Sequence, residues 1–85
     1  MYYVYVLESK KDGKLYKGFT TDLQARIVQH NSGKNRSTNQ RGPWNLIHYE
    51  AYISKEDALE RERFLKTGWG RKNLENLLQN YFNKK

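Results

Sequence analysis

Five side chains in this 85-residue chain have the types and order to work on a phosphate: Tyr5, Tyr16, Arg26, His30 and Glu62. A phenol on a stiff strand can take or pass a proton, and a guanidinium fork matches phosphate oxygens. A histidine titrates near neutrality, and one carboxylate with waters and substrate oxygens suffices for a hard divalent cation. Hydrolysis of a phosphodiester needs these parts: an activated water, positive charge on the nonbridging oxygens and usually a divalent metal. Each residue also has an ordinary structural reading. Tyrosine is common in strands, Arg26 would suit an exposed helix face, His30 a half-buried packing position and Glu62 an ion pair with Lys66. The chemical reading therefore depends on whether the elements bring all five together.

Residues 2–8 and 15–20 alternate and are rich in tyrosine and valine, which predicts two strands. Asp12-Gly13 between them is a tight-turn signal, so the strands are expected to pair as an antiparallel hairpin. Side chains at Tyr3, Tyr5 and Leu7 then share one face, as do those at Tyr16, Gly18 and Thr20. A register that pairs Tyr5 with Gly18 or Thr20 places both phenols on the same side, and a slip of one residue separates them. Any side chain at position 18 is expected to crowd the space between the phenols and an approaching phosphate.

Thr21 and Gln24 form a capping-box pattern opening a helix that runs to about Asn31 and stops before Gly33; Leu23, Ile27 and His30 share its face, with Arg26 at the edge. Residues 32–43 read as an exposed basic loop and residues 45–53 as a third strand. Ser54 and Asp57 cap a helix over 55–67, on which Ala58, Glu62 and Leu65 lie in one stripe. That stripe turns a carboxylate toward the protein body, where it needs a cation. Gly68-Trp69-Gly70 is expected to break this helix, and Leu74, Leu77, Leu78, Tyr81 and Phe82 predict a last amphipathic helix.

Sixteen Lys and Arg against nine acids give a formal charge of +7, which favours a polyanionic partner. No acid occurs between Asp22 and Glu50, an interval holding Arg26, Lys34, Arg36 and Arg41; another acid-free interval, between Glu62 and Glu75, holds Arg63, Lys66, Arg71 and Lys72. Lys34, Arg36, Arg41, Arg71 and Lys72, with Gly18 at the phenol pair, are the expected nucleic-acid contacts. The length suits one domain over residues 1–85. The chain has no cysteine, which excludes disulfides and thiolate metal sites. The apolar start lacks a basic lead and a small-residue cleavage site, and no apolar stretch is long enough to span a membrane, so a cytoplasmic protein is expected.

Val4-Tyr5-Val6, Tyr16-Lys17-Gly18, Arg26, Gln29-His30-Asn31-Ser32-Gly33 and Ala58-Leu59-Glu60-Arg61-Glu62 together resemble the GIY-YIG nuclease domain. The likeness is to its small stand-alone bacterial branch, similar to the N-terminal domain of the excision-repair nuclease. The resemblance implies a mixed α/β fold of the α+β type, a three-stranded antiparallel sheet flanked by three helices. It implies a metal-dependent endonuclease acting on DNA or structured nucleic acid, in repair or recombination, with Mg2+ or Mn2+ held at Glu62. Tyr5, Tyr16, Arg26 and His30 would surround the scissile phosphate. The first motif keeps only its tyrosine, Phe19 stands where some family nucleases carry a lysine, and both Asn73 and Asn76 could match the family's late asparagine. The alternative is a noncatalytic nucleic-acid-binding module or one component of a larger nuclease assembly, with a protein partner supplying specificity.

Overall fold

The computed structural model describes residues 1–33 and 42–84. In chain order the elements are β1 (Tyr2–Ser9), β2 (Leu15–Thr20), α1 (Leu23–Asn31), β3 (Trp44–Tyr52), α2 (Lys55–Leu65), α3 (Gly68–Leu77) and α4 (Gln79–Asn83). The strands form one antiparallel sheet in the order β2-β1-β3. The expected α+β architecture is present, with the last helix divided in two.

As the middle strand, β1 must bury both of its faces, and Val4, Tyr5, Val6 and Leu7 are all buried. Val4 and Val6 pack with Ala58 and Leu65 of α2 and Leu74 of α3. Tyr5 and Leu7 pack on the opposite face with Trp44, Tyr16 and the α1 residues Leu23 and Ile27. Helices thus cover both sides of the sheet, α1 on one and α2 with α3 on the other. The hairpin turns at Gly13, whose φ is 75°, and the register sets Tyr5 opposite Gly18 and Leu7 opposite Tyr16. Both phenols therefore fall on the α1 face, in the register the chemistry requires.

A bulge in β3 accompanies this arrangement. Val6 pairs with His48 but Leu7 with Leu46, leaving Ile47 as the extra residue. Strict alternation would put Leu46 and His48 on one face. The bulge instead separates them: Leu46, opposite Leu7, joins the Tyr5 core, while His48, opposite Val6, falls on the α2 side with Ile47.

Two helix starts differ from expectation. Asp22, not Thr21, caps α1, its carboxylate accepting from the Ala25 N–H at 3.1 Å. The Thr20 hydroxyl accepts from the Asp22 N–H and donates to the Asp22 carbonyl, which carries the turn one residue further. A carboxylate at that point also complements the positive end of the helix. Ser54 caps α2 as expected, through the Asp57 N–H.

At the other end of α2, Thr67 starts a new helix by accepting from the Gly70 N–H at 3.1 Å. The second helix does end before Gly68-Trp69-Gly70, as expected, and those three residues form the first turn of α3. Gly70 is where α3 crosses the end of α2: a β-carbon there would run into the Phe64 carbonyl and the Leu65 backbone. Neither obstacle is a side chain that can swing aside. Gly70→Ala should therefore cost about 2 kcal/mol, measured by denaturant unfolding; wild-type stability would show that the corner opens freely.

Candidate active site

Tyr5 is completely buried, and its hydroxyl lies 2.8 Å from His30 Nε2. Burial first, and then the nearby Arg26 charge, lowers the His30 pKa, so the ring is neutral at pH 7 and Nε2 can accept. Burial is also the main reason the Tyr5 phenol is pushed well above its ordinary value; Tyr16 and Glu62 add to the rise, while Arg26 opposes it by charge and hydrogen bonding. These facts give the bond a direction: Tyr5 O–H donates to His30, with the Arg26 charge close enough to act on the phenol.

Tyr16 completes the aromatic wall. Its ring centroid is 4.8 Å from that of His30 and 6.3 Å from those of Tyr5 and Trp44. Unlike Tyr5 it is only half-buried, on an edge strand. Arg26 is half-buried as well, one helical turn before His30. The end of α1 that carries His30 is clamped to the sheet by Asn31, whose side chain donates to the Trp44 carbonyl and accepts from the Trp44 N–H at 2.6 Å. Position fixes the partners here, since an amide can serve both roles at once.

Glu62 is carried by α2, which packs on the other side of the sheet, and its charge is the smallest of the influences felt at Tyr5. Its side chain is 18% exposed and its Oε2 accepts from Lys66 Nζ at 3.2 Å. The ordinary ion pair and the inward-facing carboxylate are thus both present. Among the described residues no group of three or more His, Asp or Glu side chains is gathered to hold a metal. The donor set fits a hard ion with one protein carboxylate and otherwise water and phosphate oxygens, as Mg2+ takes in phosphate sites. Lys66 is the more exposed partner, and its long side chain can give up the carboxylate oxygen.

The other expected contacts separate. Gly18 is buried beneath Tyr5, and a β-carbon there would strike the Tyr5 hydroxyl and ring. The room it leaves is filled by Tyr5 itself, so Gly18 acts by seating that ring and does not present itself to a ligand. Arg71 lines a cleft with Lys14 and Lys17 of the hairpin, whereas Lys72 lines a different groove with Phe64, Trp69, Asn73 and Asn76. Consecutive helical residues diverge by about 100°, which divides a pair that the sequence presents as one basic run. Lys34, Arg36 and Arg41 lie outside the described residues.

One polar network has no counterpart in the sequence reading. Glu50 on β3 accepts from Arg61 Nε and Nη2 at 2.9 and 3.1 Å, from Tyr52 and from His48, and Arg61 also donates to Asn73 at 2.7 Å. The network joins β3, α2 and α3 one residue before Glu62, which fixes the rotation of α2. Asn73 is accounted for by this structural bond, while Asn76 sits in the Trp69 groove. The signal available in the sequence was the alternation His48, Glu50, Tyr52, three polar groups on one face of a strand.

A match to the family described as the GIY-YIG catalytic domain covers residues 1–84. A UPF0213 protein of Bacillus pumilus is 44% identical over 72 residues, spanning 84% of this chain and 71% of that relative. One of Halobacterium salinarum is 43% identical over 67 residues, 78% of this chain and 86% of the relative. The solution NMR structure of a UPF0213 protein from Bacillus halodurans is similar with a TM-score of 0.57 at 42% identity, covering 91% of this chain and 85% of that one. These names specify no activity, but the full-length match and the likeness in both sequence and fold agree on one assignment: the chain belongs to the GIY-YIG family, whose members are generally nucleases.

Proposed function

We propose that this protein is a divalent-cation-dependent endonuclease that hydrolyses phosphodiester bonds in DNA or structured nucleic acid, with residues 1–85 acting as one GIY-YIG domain in the cytoplasm. The observation that carries this reading is the buried Tyr5 hydroxyl 2.8 Å from His30 Nε2 with the Tyr16 ring packed against the same imidazole, and with the charges of Arg26 and Glu62 both felt at Tyr5. Structural packing alone does not call for two phenols against a buried neutral imidazole with a guanidinium and a carboxylate within reach of their charge.

In this reading Tyr16 is the phenol that a water beside the phosphate can reach. Tyr5 is sealed from solvent and its raised pKa keeps it protonated, so it acts as a positioning residue for His30 under the charge of Arg26. Arg26 supplies positive charge to the nonbridging oxygens. His30, neutral and accepting, takes part in passing the proton onward. A divalent cation such as Mg2+ or Mn2+ held at Glu62 would polarise the phosphate and favour departure of the leaving oxygen. A role in DNA repair or recombination follows if branched or damaged substrates are preferred.

The direct experiment is cleavage of labelled duplex, flap and branched DNA with Mg2+ or Mn2+, alongside Glu62→Ala. Metal-dependent nicking by the wild type and none by the variant is the expected result. Salt-dependent binding without cleavage of any substrate would make the chain a binding module instead.

A further inference from the structure

The basic side chains on the α2 side of β2 form a cluster that the candidate active site does not use. Lys17 lies between Tyr16 and Gly18 in β2 and, by strand alternation, points to the opposite face. It is half-buried and shares with Lys14 and Arg71 a cleft of about 390 Å3, whose other lining residues are Asp12, Gly13 and Leu15. Burial, followed by the charges of Arg71 and Lys66, lowers the Lys17 pKa. Two acids border this group: Asp12, which lines the cleft and accepts from the Lys14 backbone N–H at 2.9 Å, and Glu75, paired with Arg71 at 4.0 Å. Glu62 pairs with Lys66, and the cleft lining itself holds three cations to one acid. Holding like charges together in a partly desolvated cleft costs free energy that a bound anion would offset.

The place of the cluster identifies the anion. Lys17 is the chain neighbour of Tyr16, and Lys66 is the ion-pair partner of Glu62, so the cations begin where the candidate active site ends and continue to the hairpin tip. We infer that Lys14, Lys17 and Arg71, with Lys66 at the end nearer Glu62, form a second phosphate site that grips the nucleic-acid backbone away from the scissile phosphate. This site rests on the nuclease reading and adds to it a direction: the substrate strand crosses edge strand β2 from the tyrosine face toward the Gly13 turn. Contacts of this kind position a strand without reading its bases.

The test is binding of fluorescent duplex and flap DNA in EDTA, so that cleavage does not intervene, measured across a range of salt concentrations. Neutralising two phosphate contacts should reduce the slope of log K against log salt by roughly 1.5–2. The double variant Lys17→Gln/Arg71→Gln should show that loss equally on unrelated sequences, with a melting temperature no lower than wild type because repulsion is relieved. Lys17→Arg/Arg71→Lys should restore the slope. An unchanged slope in the Gln variant, with the wild type binding normally, overturns the second site and leaves the nuclease reading standing. No salt-dependent binding by the wild type overturns both. A parallel NMR titration with inorganic phosphate separates the two sources of the anion: saturation of Lys17 and Arg71 that DNA does not compete away would assign the cleft to a free anion and overturn the backbone contact.

Discussion

Tyr16→Phe should lower metal-dependent cleavage by a factor of ~10^2–10^4, the range for loss of a general acid or base, at an unchanged melting temperature. Tyr5→Phe should behave differently, because the two phenols have different surroundings. The Tyr5 hydroxyl is sealed in the core and donates to a buried imidazole nitrogen. Removing it strands that acceptor, which costs about 1–3 kcal/mol, or roughly 5–15 °C in a domain of this size. Activity should fall with it, since His30 loses the hydroxyl that holds its ring. Tyr16 is half-buried on the edge strand, where water can replace a lost hydroxyl. The pair of variants thus separates a chemical from a positioning role. Full turnover in Tyr16→Phe, together with an inactive but fully stable Tyr5→Phe, would exchange the two assignments.

The features legible in the sequence were those set by local rules. The Asp12-Gly13 turn and period-two alternation led to a hairpin whose correct register sets Tyr5 against Gly18, and that register gathers the phenols. The stripe Ala58, Glu62, Leu65 pointed a carboxylate inward; Ala58 and Leu65 are buried on that helix, and Glu62 is 18% exposed and paired with Lys66. What escaped were features that arise only when elements meet. The bulge at Ile47 depends on how β3 docks against β1, and nothing local in Asn-Leu-Ile-His marks it. Gly70 looked like a helix breaker because its close contact with α2 is invisible before the corner is built. Asn31 looked like a helix end, yet its amide ties α1 to the start of β3 across 13 residues of chain. The basic run Arg71-Lys72 looked like one patch until the helix turned the two side chains apart.

Acid stability should expose the Glu50 network as the brace behind the candidate site. Burial alone would raise the Glu50 carboxyl, but hydrogen bonds from Arg61, Tyr52 and His48, with the Arg61 charge, hold it at about 2, against an ordinary 4.5. A carboxyl depressed in the folded state stabilises the fold above its unfolded pKa, and the contribution disappears as pH falls through the folded value. The window therefore runs from about pH 4.5 down to about pH 2, and the contribution across it is roughly 3 kcal/mol. Tyr52 mirrors this on the alkaline side. Burial and the neighbouring carboxylate push it up to about 12, so its share is present below pH 10 and is lost as pH rises toward 12. Glu50→Gln should melt well below wild type at pH 7 and lose most of the steep fall between pH 4.5 and 2. Because Arg61 precedes Glu62 on α2, the same variant should weaken cleavage even at temperatures where it stays folded. A melting profile that merely shifts down in parallel with wild type would show that other carboxylates govern the acid transition and that the brace lies elsewhere.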